Sequence, residues 1–189
     1  MFALRRPDEA VVKGFLARGK DSALTYQPVG LSQGSSPGYN HDELRVKIGQ
    51  GADQLARAQR AIDSWRPLRV PWVQAFPAEP SPEVGSEVVV VARHLGFWSI
   101  NVCRVVQRFP SSAEDSRYGF VYGTLTDHAE SGEESFAVSI SADGSVWYEI
   151  RAVSRPRAFL ARVGYPVSRR LQSRFRRESV RSMIAAVQG

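Results

Sequence analysis

The chain has 189 residues, 43% hydrophobic and 23% charged, a balance that fits a soluble globular domain long enough to bury one core. No stretch of about eighteen apolar residues occurs, which argues against a membrane-spanning helix, and the single cysteine, Cys103, excludes an internal disulfide and a multi-cysteine metal site. The net charge of +6 is uneven: from Arg151 onward ten arginines face one acid, Glu178, giving +9 and leaving −3 for the rest. Such a segment belongs either to a nucleic-acid or anionic-membrane surface or to the solvated face of an amphipathic helix.

The opening MFALRRPDEAVVKGFLARG has Asp8 and Glu9 where a signal peptide needs apolar residues, so a cytoplasmic location is expected, in reducing surroundings that suit a lone thiol. Pro7, Asp8 and Glu9 start a short helix over 7–18, within an N-terminal extension of residues 1–20 that Gly19 would end. Gly30, Gly34, Ser35, Ser36, Pro37 and Gly38 make 21–41 a loop, with Tyr26 packing at a core edge or lining a cavity rim.

From Asp42 to Gly49, Leu44, Val46 and Ile48 alternate with Glu43, Arg45 and Lys47, which predicts a half-buried strand. Leu55, Ala58, Ile62 and Trp65 recur at helical spacing after it. Gly49-Gln50-Gly51 lacks the third glycine and the Lys-Ser/Thr of a phosphate loop, so a strand-to-helix turn accounts for it. Arg69–Phe76 reads as an extended edge segment interrupted by Pro71, and the Pro-rich 77–85 as a connection. Two long strands follow, 86–94 and 97–109, turned at Gly96. A polar loop over 110–116 leads to a hairpin of 118–126 and 134–141, with Asp127, His128, Glu130 and Glu133 in the loop between. Asp143-Gly144 is a strong hairpin signal and introduces a strand over 145–153.

Ser154 and Pro156 then start the last element, a helix over 155–187. Leu160, Val163, Val167, Leu171 and Phe175, then Met183, Ile184 and Val187, form its apolar stripe, flanked by Arg169, Arg170, Arg174, Arg176, Arg177 and Arg181. Gly164 and Pro166 predict a kink or break near residue 165, which would leave the helix in one bent piece or in two. The order is α+β: one domain over 1–189, in which a curved antiparallel sheet of about seven strands (42–154, with one inserted helical segment) wraps a long C-terminal helix. In element order, residues 42–189 resemble the helix-grip fold of the START and Bet v 1-like superfamily, where sheet and helix commonly enclose a cavity for apolar small molecules.

The block YGTLTDHAESGEESF (122–136), with IGQGADQLARAQRAIDSW (48–65), CRVV (103–106) and SRP (154–156), resembles the uncharacterised domain-of-unknown-function family numbered nineteen-ninety, found in bacteria and plants. The resemblance runs over roughly residues 24–187. This chain has Thr126-Asp127 where that family usually has Pro-Gly. The resemblance implies a fold and a site location and brings no established activity.

Read physically, the central hairpin gives one inward carboxylate. Glu134 shares strand parity with Phe136, Val138 and Ile140, while Glu133 points the other way. An acid on an apolar face must be paired, hydrogen-bonded or shifted upward in pKa, and Arg155 or Arg104 could pair with it. The first functional expectation is a binder of an apolar or amphipathic small molecule, lined by Tyr118, Phe120, Tyr122, Glu134, Trp147 and Tyr148. The second is a cyclase- or hydrolase-like enzyme with Glu134 and His128 as acid–base candidates. The third is nucleic-acid or anionic-membrane binding through the terminal helix; against nucleic acid, its arginines flank an apolar stripe with no aromatic interleaving suited to base stacking. No metal or cofactor is expected, because the three histidines at 41, 94 and 128 show no ligand spacing, and Cys103 within a strand reads as an inert thiol.

Overall fold

A computed structural model describes residues 1–34, 36–77, 81–110, 116–157 and 163–189. The strands are β1 (Phe2–Ala3), β2 (Asn40–Gln50), β3 (Val73–Phe76), β4 (Glu87–His94), β5 (Phe97–Pro110), β6 (Tyr118–Thr124), β7 (Glu130–Ile140) and β8 (Ser145–Pro156); the helices are α1 (Glu9–Asp21), α2 (Ala52–Asp63) and α3 (Tyr165–Gln188). They build one antiparallel sheet in the order β2-β8-β7-β6-β5-β4-β3, with β1 pairing the start of β5. This is the α+β arrangement expected from the element order.

The hairpin chemistry explains the connectivity. Leu95 and Gly96 both have positive φ (50° and 83°), the backbone of a two-residue turn whose twist matches the strands it joins. Bulges between Lys47 and Gly49 and between Val105 and Gln107 bend β2 and β5. In β6, a Cβ on Gly119 would meet the Phe136 carbonyl at 2.0 Å, and one on Gly123 would meet the Tyr26 hydroxyl at 2.1 Å, so both strand glycines answer to close approach. Tyr26 accordingly packs on the outer face of the sheet with Leu31 and Val153.

Asp8 caps α1, accepting from the Val11 amide at 2.8 Å. The helix runs past Gly19 to Asp21. Gly19 does not stop it; its missing side chain lets the helix lie against Glu87 and Val102. There Val12 and Phe15 join Val89, Val91, Ile100 and Val102 in an outer core. The segment expected to be extended from Arg69 is shorter: Arg66–Leu68 form a 3-10 turn around Pro67, and only Val73–Phe76 pairs as an edge strand.

The main core lies on the inner face. Ala58, Ala61 and Ile62 of α2, with Trp65 just after it, meet Phe120, Phe136, Tyr148 and Ile150 of the sheet and Val180, Met183 and Val187 of α3. The expected start of α3 at Ser154 is corrected: Ser154 and Pro156 belong to β8, and Gly164 precedes the first turn, where Pro166 fits because it needs no amide partner. Val163 is helical and Gly164 is a turn before the helix that starts at Tyr165, so the helical path is interrupted at Gly164, where a kink or break near residue 165 was expected. Leu160 lies outside the described residues.

The fully buried residues of α3 lie in its C-terminal half, Met183 among them, whereas Phe175 packs only partly buried against the core and Val167 is exposed. Met183→Ala should lower stability by about 2–5 kcal/mol in urea unfolding, while Val167→Ala should stay within about 0.5 kcal/mol. Equal losses would contradict this division of the helix.

Candidate functional site

Beneath the N-terminal half of α3 the inner face is not filled, and a cavity of about 220 Å³ remains. Leu171, Gln172, Phe175 and Arg176 roof it, while Val90, Ala92, Asn101, Tyr122, Glu134 and Ala152 of the sheet form its floor. Two contacts hold the roof. On one side Asp42 of β2 receives Arg169 at 2.7 Å and Arg176 at 3.1 Å. On the other, the Trp72 indole donates to Glu178 at 2.7 Å, with Arg174 stacked above the Trp72 ring. Burial alone would raise the Asp42 carboxyl, but the two guanidinium groups hold it below the usual carboxylate range.

Along β7 alternate residues face opposite ways, and the two adjacent glutamates separate. Glu133 turns outward, where it is 2% exposed and accepts the Gly30 and Ser32 amides at 2.7 and 3.0 Å, fastening that loop to the sheet. Glu134 turns inward onto the cavity, and its Oε2 accepts the Tyr122 hydroxyl at 2.6 Å. Burial pushes the Glu134 carboxyl up to about 7, with Glu130 and Asp42 adding repulsion; the Tyr122 hydrogen bond and Arg176 oppose the rise. The partners named from sequence are elsewhere. Arg104 binds Glu87 and the Gly19 carbonyl at the end of α1, and Arg155 stacks over Tyr39.

Glu130 is not a loop residue but the first residue of β7. It shares inward parity with Glu134, and its carboxylate accepts Ser154 at 2.5 Å and Gln172 of α3 at 2.7 Å. Burial raises its pKa, against the pull of Ser154 and Arg169. His128 also lines the cavity. Its Nδ1 lies 2.9 Å from the Glu130 amide and 3.1 Å from the Glu130 carbonyl, accepting from the first in one tautomer and donating to the second in the other. Burial, and then the Met1 ammonium, push His128 down to about 3, so near neutral pH the ring is uncharged. Asp127 stays outside the cavity, 3.8 Å from Arg18.

The six ligand-binding candidates do not meet in one place. Tyr122 and Glu134 line the cavity. Phe120 and Tyr148 are fully buried in the inner core, the latter with its hydroxyl 2.8 Å from Ser179. Tyr118 donates to Asp63 at the end of α2. Trp147, next to Tyr148 in β8, must leave by the outer face, where it lies under Arg45. Cys103 is buried and its thiol is pushed up by burial, which keeps it neutral. Among the described residues no group of three or more His, Cys, Asp or Glu side chains is placed to hold a metal ion.

Asp42, Glu130, Gln172, Arg169 and Arg176 were not anticipated as site residues. Asp42 shares parity with Leu44, Val46 and Ile48, so the reasoning that turned Glu134 inward applies to it equally. Arg169, Gln172 and Arg176 follow at helical spacing on the face of α3 that meets these acids.

An antiparallel sheet closed by a C-terminal helix across a cavity defines a helix-grip protein of the Bet v 1-like kind, and solved structures share this fold. Ara h 8.0201 superposes with a TM-score of 0.50 at 16% identity, over 80% of this chain and 99% of that one. Hypothetical protein jhp0584 from Helicobacter pylori gives 0.56 at 8% identity, over 86% and 95%. The di-domain ARO/CYC BexL gives 0.54 at 15%, over 82% of this chain and 52% of that one. Residues 25–182 match the family described as "Domain of unknown function (DUF1990)", and the chain belongs to that family. A UPF0548 protein of Dictyostelium discoideum is 28% identical over 207 residues, covering 99% of this chain and 96% of that protein. One from Deinococcus radiodurans is 32% identical over 199 residues, covering 98% of each.

The raised Glu134 carboxyl has a thermodynamic consequence. Between its ordinary 4.5 and about 7 the folded chain keeps a proton that the unfolded chain has released, so this group's contribution is complete below 4.5 and is lost as pH rises toward 7. A shift of that size is worth at most about 3 kcal/mol. Glu134→Gln should therefore narrow the stability difference between about pH 5 and about pH 8 in urea titrations. An unchanged difference would place the carboxyl at its ordinary value.

Proposed function

We propose that this protein binds a small, mainly apolar molecule carrying one hydrogen-bonding group in the cavity under α3. The observation that carries this reading is the pairing of mainly apolar walls with a few convergent polar groups, the Tyr122–Glu134 pair with uncharged His128, Asn101, Glu130, Gln172 and Arg176 around it. At about 220 Å³ the cavity is smaller than the roughly 300–1,000 Å³ that enclose drug-sized ligands, so the occupant is a compact molecule or one whose remainder extends through the mouth. The other carboxylates nearby are already satisfied, Asp42 by two arginines and Glu130 by Ser154 and Gln172. That leaves Glu134 to meet the ligand's polar group. A free, buried Cys103 fits a cytoplasmic setting, and no helix among the described residues is long and apolar enough to cross a membrane.

A carboxyl with a strongly raised pKa in a cleft is also the mark of an acid–base catalyst, and it supports a second reading, a cyclase- or hydrolase-like enzyme using Glu134. His128, held near 3, stays uncharged near neutral pH and does not serve there as the acid.

Native mass spectrometry of the purified protein with dye-displacement titration tests both readings. A bound apolar species, displaced by the dye, is expected, and Ala152→Leu, which fills the floor beside Glu134, should abolish dye binding without lowering the melting temperature. A ligand returned intact supports the binder and one returned chemically altered supports the enzyme. A core that takes no dye and holds no ligand contradicts both.

A further inference from the structure

The cavity opens beside a second concavity. A shallow groove of about 540 Å³ runs between the tip of the β4–β5 hairpin, β1 and the first turns of α3. Phe2, His94, Ser168 and Leu171 line both spaces, so the groove is the mouth of the cavity. Its rim is apolar and exposed: Leu4 is 88% exposed, Leu95 70%, Val163 67% and Val167 37%.

Leu95 is the most telling of these. It stands in the left-handed region at the first position of a two-residue turn, where asparagine, aspartate or glycine is favoured and a leucine is disfavoured. Its side chain is at the same time left in water. A leucine there penalises the turn and stays exposed among the described residues, an apolar tip with no gain to the fold to offset its cost. The charge around the rim has one sign. No acidic residue lines the groove, exposed Arg5 follows Leu4, and exposed Arg170 stands one helical turn beyond Val167.

We propose that this mouth docks on an anionic lipid bilayer, with Leu4, Leu95, Val163 and Val167 entering the headgroup boundary and Arg5 and Arg170 meeting lipid phosphates. Apolar tips beside exposed Arg5 and Arg170 match a surface that is apolar below and negative above, and Arg177 and Arg181 are exposed farther along α3. Arg169 and Arg176 are taken up by Asp42, and Arg174 by Glu178. The docked orientation points the cavity's opening at the bilayer, so a bilayer component is the natural source of its ligand; that last step, unlike the docking, rests on the cavity reading above.

Co-sedimentation of the whole protein with phosphatidylcholine vesicles, with and without phosphatidylglycerol, tests the proposal. The protein should pellet with the anionic vesicles and stay in solution with phosphatidylcholine alone. Arg170→Glu should weaken the binding by roughly fivefold or more, the contribution of one basic residue near such a surface. Leu95→Asn suits the turn better, so its melting temperature should hold or rise while vesicle binding falls at least as far. A protein that stays in solution with both vesicles, or a Leu95→Asn variant that pellets like the parent, overturns the proposal. So does concentration-dependent dimerisation that Leu95→Asn abolishes, since the rim would then face a second copy. Dye displacement on the same variant separates the two readings: dye binding kept with no vesicle binding in the parent removes docking alone, and vesicle binding with no dye binding removes the cavity reading alone.

Discussion

A strand can send a side chain to only one of two faces, and β7 carries two glutamates in succession, so whatever the fold does with one it must do the opposite with the other. Outside, Glu133 finds the Gly30 and Ser32 amides at the start of a 3-10 turn over Leu31–Gln33 and becomes a fastening for the N-terminal loop. Inside, Glu134 finds one phenol and apolar walls. A carboxylate with so little compensation is expensive to bury, and holding the proton is the cheaper outcome. The acid at the centre of the inner face, with its pKa raised toward neutrality, follows from sheet geometry before any function is considered.

The same constraint explains why the inner face stays open at one end. The C-terminal half of α3 packs on the core with Val180, Met183 and Val187, and α2 fills the space beside it. Toward its N-terminus the helix presents Arg169, Gln172 and Arg176, which meet Asp42 and Glu130. Closing the helix onto the sheet there would press these groups into an apolar layer, whereas at their present distance each keeps a partner. The cavity is thus bounded by polar struts. Its mouth lies where the struts end, between Leu95, Val163 and Val167.

Much of this was legible in the residues. Alternation in 42–49, the Asp143-Gly144 turn and the apolar steps of the last helix were enough for the sheet and its gripping helix, and parity was enough to turn Glu134 inward. Parity was not carried far enough. Applied to Asp42 it identifies a second inward acid, and applied to the pair Trp147 and Tyr148 it forbids both from lining one cavity. Glu130 was hidden because four polar residues after Asp127 read as loop, whereas β7 begins there, paired residue by residue with β8. Nor could pattern tell core aromatics from cavity aromatics: Phe120 and Tyr122 stand on the same face of β6 and both are buried, yet Phe120 packs on Trp65 while Tyr122 lines the cavity.

The account turns on Glu134 being shielded from water beneath α3, and the most direct measurement is an NMR titration of its side-chain carboxyl carbon in the folded protein. The account requires a midpoint near 7, with the Glu133 resonance resolved separately. A Glu134 midpoint near 4.5 would mean that water reaches the carboxylate freely, and the desolvated polar end on which the ligand reading stands would not exist.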